Sequence, residues 1–342
     1  MTVRASIIGG SGFVGGELAR LLLQHPLIEL GDITSRQYAG KPIHAVHPNL
    51  RGHVTDLFVQ PDEIGPSDVL FLCMPHGRAA QQIDDLRERA RVIVDCSADF
   101  RLRDADTYAR WYERAHPAPH RLAEAVYGLP ELERDRLGGA RLISGVGCNA
   151  TAMNLALLPL ARAGLIDRVI ADIKVGSSEA GAEAGPSSHH PVRSRAVRTY
   201  SPSRHRHIAE VEQALGRIDL DATVTAIEMV RGVLCTAHVT PTRRVDQREL
   251  FRLYRETYAD EPFVRIVRDR SGLHRLPDPR VLAGSNHADV GFAIDEHSGR
   301  IVALCAIDNL MKGAAGSALQ SLNLALDMPE TAGLGFPGLH PA

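Results

Sequence analysis

The feature that most constrains this fold is the stretch "ASIIGGSGFVGGELARLL", in which an apolar segment enters a glycine-rich turn and then a helical pattern. The turn begins with Gly9, Gly10, Ser11 and Gly12. Glycines at these positions permit a tight turn and let backbone N–H groups approach a pyrophosphate at the start of the helix. The pattern therefore predicts a strand–turn–helix unit that binds a dinucleotide, with an ordinary tight turn as the alternative.

Strand-like and helical segments alternate through the first part of the chain, with strands in "VRASII", "LIELGDITS", "DVLFLCMP", "RVIVDCS" and "ARLISGVG". This spacing predicts a parallel sheet with helices on both faces. Later segments are longer and joined by hairpin turns such as "DEHSG", which is typical of an α+β domain with a largely antiparallel sheet. Because 342 residues exceed one ordinary core, we expect an α/β protein with two domains. They are a Rossmann-type dinucleotide-binding domain (residues 1–149 and 308–342) and a catalytic, substrate-binding and oligomerisation domain (residues 150–307).

The composition excludes several classes of function. A net charge of −2 gives no overall field that would favour nucleic acid or an anionic membrane. No apolar run approaches the roughly 18 residues of a membrane span, and the N-terminus enters a strand without a signal peptide. The five cysteines are widely spaced and form no CxxC pair. We therefore expect reduced thiols, no metal site and a cytoplasmic protein.

The end of the second predicted strand indicates which dinucleotide is bound. An acidic residue there would contact the ribose of NAD, whereas an arginine would accommodate the extra phosphate of NADP. The strand ends in Thr34, Ser35 and Arg36, while Asp32, earlier in the strand, is a rival ribose ligand. The arginine favours NADP.

Cys148 differs from the other cysteines. It follows a predicted strand and precedes "NATAMNLALLPLARAG", whose spacing predicts a helix that Asn149 or Thr151 caps and Gly164 closes. A thiol at the start of a helix loses its proton more readily because of the helix dipole. We therefore predict a nucleophile that forms a thioester with an activated acyl group, which a hydride then reduces. The other cysteines lie within apolar strands, where burial is expected: Cys73, Cys96, Cys235 and Cys305.

Seven motifs run in order from residue 5 to about residue 327: "GGSGFVGGELARLL", "MPHG", "VDCSADFRL", "YGLPEL", "GVGCNAT", "HRHIAEV" and "IDNLMKGAAGSALQSLNL". Together they resemble the N-acetyl-γ-glutamyl-phosphate reductase family, relatives of aspartate-semialdehyde dehydrogenase. That family reduces an acyl phosphate with NADPH and releases phosphate. The resemblance implies Cys148 as the nucleophile. It also implies nucleotide contacts at Ser11, Gly12, Phe13, Val14, Ser35, Arg36, Pro75, His76, Gly77, Ser97 and Asn309.

The same resemblance makes "SRHRHIAE" the best source of an acid–base group. His205 and His207 are two residues apart and would face the same way on a strand, and Glu210 would fix the ring tautomer. One of the histidines would serve the thiol and then the aldehyde oxygen. His207 is favoured, and a solvated basic loop is the alternative.

Three residues nearer the C-terminus are candidates for contacts with substrate or cofactor. Arg231 follows an apolar strand and would either hold a carboxylate or phosphate through two parallel hydrogen bonds or form a surface ion pair. Lys312 would either meet phosphate or cap a loop. Asn309 would bond the nicotinamide amide, and the small residues after it predict that the last helix packs on the dinucleotide domain.

The segment "AGPSSHHPVRSRAVRTYSPSRHRHIA" contains five arginines, four histidines and no acidic residue. It is either a solvated loop or an anion-binding surface, and a block this wide suits an acidic macromolecule. With Asn149 beside the nucleophile, its candidate substrate- or carrier-binding residues are His189, His190, Arg193, Arg195 and Arg198.

Within the family, "HPNLRGHV", "PSSHHPVRSRAVRTYSP", "HRLPDPR" and "FPGLHP" resemble the lysine-biosynthesis branch. That branch acts on aminoadipyl phosphate, or glutamyl phosphate, carried on a small acidic amino-group carrier protein. The resemblance implies such a partner and a homodimer or homotetramer. Three alternatives stay open. They are an arginine-pathway enzyme with free N-acetyl-glutamyl phosphate, a glycolytic-type phosphorylating aldehyde dehydrogenase, and a non-enzymatic NADP-binding regulator.

Overall fold

The computed structural model describes residues 2–341, and the chain falls into two compact units. The first comprises Met1–Val146 with Ala314–Gly335, and the second comprises Gly147–Gly313 with Phe336–Ala342. The breaks near residues 146 and 313 lie a few residues from the boundaries expected from the sequence, whereas residues 336–341, expected in the first domain, belong to the second unit. Cys148 therefore belongs to the second unit, whereas the glycine-rich turn belongs to the first.

The first unit contains a six-stranded sheet in which all paired strands are parallel. Its strands are β1 (Val3–Ile8), β2 (Ile28–Ile33), β3 (Val69–Leu72), β4 (Val92–Asp95), β5 (Val126–Tyr127) and β6 (Leu142–Ser144). They lie in the order β2-β1-β3-β4-β6-β5. The order reverses at β1, so the loops after β1 and β3 flank a crevice where doubly wound sheets bind ligands. The predicted Rossmann-type parallel sheet is confirmed.

Sequence periodicity finds these strands with one exception. The segment "VRASII" coincides with β1, and β3 and β4 lie within the predicted apolar runs. The missed strand is β5, which has two residues at the end of a Pro- and His-rich region. A strand this short shows no alternation of polar and apolar residues, so only its pairing with β6 reveals it.

Ten α-helices occur in the described part of the chain. They are α1 (Phe13–Leu22), α2 (Ile43–Val46), α3 (Arg78–Arg89), α4 (Ala105–Tyr112), α5 (Pro130–Leu137), α6 (Cys148–Arg162), α7 (His190–Arg193), α8 (His207–Leu215), α9 (Gln247–Tyr258) and α10 (Gly316–Ala325). A π-helical turn, Met311–Ala315, precedes α10. None of the helices described has the length and apolar content needed to cross a membrane.

The second unit contains a seven-stranded mixed sheet. Its strands are β7 (Ile166–Val175), β8 (Arg198–Ser201), β9 (Asp219–Ala226), β10 (Val233–Pro241), β11 (Val264–Ile266), β12 (Ala288–Ile294) and β13 (Ile301–Ile307). They lie in the order β11-β12-β13-β10-β7-β9-β8. Four of the six pairings are antiparallel, which confirms the prediction, and the exceptions are β11–β12 and β7–β9.

The core of the second unit holds α6 in place. On β10, every second residue from Val233 to Val239 is fully buried. The hydroxyls of Tyr254 and Tyr258 on α9 donate to backbone carbonyls of α6 at 2.7 and 2.6 Å. Because both hydrogen bonds are buried, they fix α9 on α6 and hence the position at which α6 begins.

The cysteines other than Cys148 divide into two pairs. Cys235 and Cys305 face each other across β10 and β13 and are buried, as expected. Cys73 and Cys96 are only partly buried, so the expectation of burial is wrong for them. Each lies one residue beyond the end of its strand, at the carboxyl edge of the parallel sheet, rather than inside the sheet.

Candidate active site

Cys148 is the first residue of α6, and twelve of the fifteen residues of this helix are buried. The N-cap is Gly147, with extended backbone at φ −82° and ψ 129° and no side-chain cap. The prediction that Asn149 or Thr151 caps the helix is wrong, because Thr151 donates its hydroxyl to the Gly147 carbonyl from inside the first turn. The thiol therefore lies at the positive end of a long helix, which stabilises a thiolate.

Glu210 fixes the turn before Cys148. One of its carboxylate oxygens accepts the Gly147 N–H at 2.9 Å, and the other lies 3.8 Å from Nε2 of His207. A Cβ atom at Gly147 would lie 2.7 Å from that Nε2 and 2.5 Å from the carboxylate. The missing side chain at Gly147 therefore lets the imidazole approach the residue that precedes the thiol.

His205 and His207 do not lie on a strand, so that expectation is wrong. His207 begins α8, and His205 lies in the turn before it because its carbonyl accepts the Ile208 N–H. The two rings meet edge to face with centroids 4.5 Å apart. Nδ1 of His205 accepts the backbone N–H of His207 at 3.3 Å. Burial, helped by Arg206, lowers the pKa of His205 to about 4, so this ring is neutral at pH 7.

A second carboxylate, Glu179, stands on the other side of the helix start. Asn149 donates its side-chain N–H to Glu179 at 3.3 Å, and its carbonyl oxygen lies 3.7 Å from Sγ of Cys148. The Tyr200 hydroxyl lies 2.8 and 2.7 Å from the two Glu179 oxygens. Burial raises the pKa of Glu179, and burial and this carboxylate raise the pKa of Tyr200.

The glycine-rich turn in the first unit fits a dinucleotide. Gly9 has φ 76°, and side chains at Gly10 and Gly15 would clash with Ile33 and with the Gly10 backbone at 2.2 and 2.5 Å. A Cβ at Gly12 would meet no atom within 4 Å beyond its chain neighbours. Gly12 is the N-cap of α1 without a side-chain cap. The turn therefore leaves an open cradle at a helix N-terminus, where a pyrophosphate is stabilised.

The loop after β2 adds a cation to this cradle. The Ser35 hydroxyl donates to the Ser11 hydroxyl at 3.0 Å, which joins the two predicted contact residues. Arg36 is exposed and borders a pocket of about 420 Å³ together with Arg89. Asp62 and Asp85 line the same pocket, so its two arginines are balanced by two carboxylates.

Asp32, the rival ribose ligand, is engaged elsewhere. One of its carboxylate oxygens pairs with Arg4 at 3.4 Å, and the other accepts the Gly65 N–H at 2.9 Å. Both oxygens are thus used within the first unit, and the carboxylate lies within β2 rather than at its tip.

The residues after β3 and β4 form one hydrogen-bonded cluster. The Gly77 N–H donates to Asp99, and Nδ1 of His76 accepts the Ala98 N–H. The Ser97 hydroxyl is buried, donates to Asp95 and accepts the Asp99 N–H. Because the hydrogen bonds of this hydroxyl are made inside the protein, the hydroxyl stabilises the loop more directly than it would a ligand. Burial and the nearby Asp99 raise the pKa of Asp95 to about 7.

The remaining predicted cofactor residues differ in exposure. Pro75 is exposed after β3, as is Phe13 at the start of α1, whereas Val14 is half-buried. Among the described residues, no group of three or more histidine, cysteine or acidic side chains is arranged to hold a metal ion.

The chain matches known proteins over nearly all of its length. Residues 4–140 match the semialdehyde dehydrogenase NAD-binding domain, and residues 148–309 match the semialdehyde dehydrogenase dimerisation domain. A Thermomicrobium roseum protein is 53% identical over 351 residues, covering 100% of both chains. The chain belongs to the semialdehyde dehydrogenase family.

Two further comparisons refine this assignment. The Thermomicrobium protein carries the provisional name LysW-L-2-aminoadipate 6-phosphate reductase. A Haloarcula marismortui protein, 50% identical over 344 residues with 100% and 99% of the two chains covered, is provisionally named LysW-L-2-aminoadipate/LysW-L-glutamate phosphate reductase. Aspartate semialdehyde dehydrogenase II of Vibrio cholerae has the same fold, with a TM-score of 0.73 at 17% identity over 96% of this chain and 99% of its own. This family member is thus an oxidoreductase with a nicotinamide cofactor.

Arg231 precedes β10 and Asn309 follows β13 in the second unit. Nε of Arg231 lies 3.0 Å from the fully buried carboxylate of Asp308, so the arginine is held by an internal ion pair rather than a surface one. Asn309 accepts the Gly232 N–H at 2.7 Å and donates to the Ser178 hydroxyl at 2.9 Å. Its amide thus joins two loops, a use that the sequence does not reveal.

Lys312 is fully buried, with its ammonium 6.0 Å from the centre of the Phe263 ring. Contact with a phosphate and capping of a loop both stay predictions for this lysine. The next residue, Gly313, packs on Cys148, since a Cβ there would lie 2.7 Å from Cβ of Cys148.

The basic segment, residues 184–209, lies in the second unit, and its last three residues are buried at the start of α8. His189, His190 and Arg195 are exposed, as expected of a docking surface. Arg193 and Arg198 are half-buried and donate to the carbonyls of Val175 and Ser187, respectively. The exposed cations are therefore fewer than the sequence implies.

Several residues near Cys148 are not predicted from the sequence. Glu179 follows β7 in "GSSEAG", where a carboxylate at a strand end is a usable signal. Gly147 and Gly313 give none, because only the folded chain shows what a side chain there would meet.

Proposed function

We propose that this enzyme uses NADPH to reduce an acyl phosphate carried on a small acidic amino-group carrier protein, and yields the semialdehyde and phosphate. The acyl group proposed is L-2-aminoadipate 6-phosphate, with the glutamyl phosphate as a second substrate. The observation that carries the proposal is Cys148 at the start of α6 beside the Glu210–His207 pair. It is supported by relatives about half identical over the whole chain whose names specify such substrates.

The chemistry proposed for the chain's own residues has three stages. The Cys148 thiolate attacks the acyl carbon, a C–S bond forms and phosphate leaves. NADPH, when bound, supplies the hydride that reduces the thioester. The resulting hemithioacetal releases the semialdehyde and regenerates the thiolate. His207 accepts the thiol proton, protonates the hemithioacetal oxygen and takes that proton back when the C–S bond breaks, because the pKa of about 4 leaves His205 unprotonated at pH 7.

The choice of NADP over NAD rests on Arg36 and Asp32. Arg36 is exposed at the pocket beside the glycine-rich turn, whereas both oxygens of Asp32 are engaged by Arg4 and Gly65. An arginine just after β2, together with an Asp32 carboxylate that is already engaged, favours the 2′-phosphate. Titration of an Arg36→Ala variant with both cofactors tests this choice, because unchanged NADPH affinity would contradict it.

The carrier is proposed to dock at the basic segment. Its exposed arginines present positive charge in a chain of net charge −2, which steers and orients an acidic partner. The proposed enzyme is a cytoplasmic homodimer or homotetramer, since residues 148–309 match a dimerisation domain.

Steady-state reduction of two substrates tests the proposal. The carrier-linked aminoadipyl phosphate is expected to give a higher kcat/KM than free N-acetyl-glutamyl phosphate. Arg195→Glu should lower kcat/KM for the carrier-linked substrate alone, whereas Arg248→Glu on α9 serves as the matched control. Equal or better rates with the free substrate would identify the arginine-pathway enzyme instead.

A further inference from the structure

Three side chains that the proposed reaction leaves unused form a hydrogen-bonded chain to the nucleophile. Tyr200 on β8 bonds both oxygens of Glu179, Glu179 accepts from the Asn149 amide, and the Asn149 carbonyl faces Sγ of Cys148. The four residues come from β8, the turn after β7 and the start of α6. Such a chain of hydrogen bonds fixes the orientation of every group in it.

The orientation of the Asn149 amide follows from the chemistry of its neighbour. A carboxylate only accepts hydrogen bonds, so Glu179 must receive the N–H₂ end of the amide. The carbonyl end is then turned to Sγ of Cys148, 3.7 Å away. A carbonyl oxygen stabilises a thiol that donates S–H and repels a thiolate.

We propose that Glu179 is a positioning residue which, through Asn149, holds Cys148 as a neutral thiol until the acyl phosphate is in place. The proposal rests on the proposed function only in taking Cys148 as the nucleophile. A neutral thiol resists oxidation, because the thiolate is the reactive form. The chain would thereby protect the nucleophile between turnovers.

Several other groups act on the thiol and set the balance. The N-terminus of α6 favours the thiolate, whereas the Glu179 charge opposes it. The titratable and charged groups around the helix start are His205, His207 and Glu210 before and on α8, Tyr200 on β8, and Arg193 and Arg206, which act on Glu179. The variants of Glu179 and Asn149 below keep all of the other groups. Differences in the pH dependence of Cys148 alkylation therefore measure the effect of the Tyr200–Glu179–Asn149 hydrogen bonds.

The test measures how fast iodoacetamide alkylates Cys148 from pH 5.5 to 9.5 without substrate, using the whole protein and mass spectrometry of the Cys148 peptide. For Glu179→Gln we expect the midpoint of the alkylation rate against pH to fall by about one pH unit. At pH values below this midpoint, alkylation should be about tenfold faster than in the wild type. Glu183→Gln, at an exposed position in the same loop, should match the wild type. An unchanged midpoint for Glu179→Gln, or an equal shift for Glu183→Gln, would overturn the proposal.

A double-mutant cycle distinguishes an effect of Glu179 that is transmitted through Asn149 from a direct effect of the Glu179 charge on the thiol. Asn149→Ala should also lower the midpoint, and the double variant should lower it no further than the larger single change. Additive shifts would contradict the role of Asn149. Because no substrate is used, a shifted midpoint in a protein that does not reduce carrier-linked acyl phosphate would contradict the proposed function alone. An unchanged midpoint in an active enzyme would contradict this inference alone.

Discussion

At the scale of single residues, Gly147 sets how closely His207 approaches the start of α6, where Cys148 lies. Its missing side chain leaves room for Nε2 of His207 and the Glu210 carboxylate, both within 3 Å of where a Cβ would lie. The Gly147 N–H also anchors Glu210 at 2.9 Å. One residue thus positions both members of the pair.

Gly147→Ala is expected to lower kcat about 100-fold, because misplacing a catalytic group by about 1 Å costs a factor of this size. The added methyl must displace His207 or Glu210, whereas α6 still begins at residue 148. The measurement is steady-state reduction together with the melting temperature. Gly185→Ala is the control, since its Cβ would meet no atom within 4 Å. A Gly147→Ala enzyme with the wild-type kcat would refute this placement of His207.

The sequence predicts single residues where their signal is local. Cys148 stands out because a helical pattern follows it directly, and His207 and Glu210 stand out within one short motif. Glu179 and Tyr200 do not, because they lie 31 and 52 residues beyond Cys148 and reach it only through the turn after β7 and the edge strand β8.

At the scale of elements, the glycines of the turn between β1 and α1 differ in role, because some allow close packing and one faces open space. Gly10 and Gly15 face protein atoms that a side chain would strike, whereas Gly12 faces open space. The glycines therefore do not share one role, although the sequence pattern treats them alike.

Gly12→Ala should keep the melting temperature and weaken NADPH binding, because its methyl enters the open cradle at the start of α1. Gly15→Ala should lower the melting temperature, since its Cβ would lie 2.5 Å from the Gly10 backbone, and forced contacts of this kind cost about 1–3 kcal/mol. Fluorescence titration and thermal unfolding measure the two effects. A Gly12→Ala protein with unchanged NADPH affinity would show that the cradle does not hold the cofactor.

Periodicity predicted elements well where they are long and poorly where tertiary pairing defines them. β1 matched its predicted segment, whereas β5 has only two residues. The segment around His205 and His207 shows no alternation of polar and apolar residues. The helix α8 begins there because of a backbone turn, which residue patterns do not encode.

At the scale of the whole molecule, His205 links stability to pH. Its pKa is about 4 in the folded protein and 6.5 without the fold. Between these values the unfolded chain binds more protons, so this group's contribution falls as pH drops from 7 toward 4. His205→Gln should therefore lose about 2 kcal/mol less of its free energy of unfolding between pH 7 and pH 5.

Urea unfolding of both proteins at the two pH values measures this difference. Asp95, whose pKa of about 7 gives the opposite dependence, is present in both proteins and cancels. Equal losses in wild type and variant would mean that His205 is not held neutral by burial.

The division into a parallel-sheet unit and a mixed-sheet unit was predictable from the change in strand length and connection along the chain. The number of exposed cations in the basic segment could not be predicted, because Arg193 and Arg198 donate hydrogen bonds to backbone carbonyls. Charge counted along a sequence thus overstates the charge available to a partner.

The most direct test of the central claim is the intact mass of the protein after incubation with carrier-linked aminoadipyl phosphate and no NADPH. Wild type should gain the mass of the acylated carrier on Cys148, and NADPH should then remove it, whereas Cys148→Ser should gain nothing. Turnover of NADPH by Cys148→Ser, or an acyl group on any other residue, would contradict the thioester mechanism.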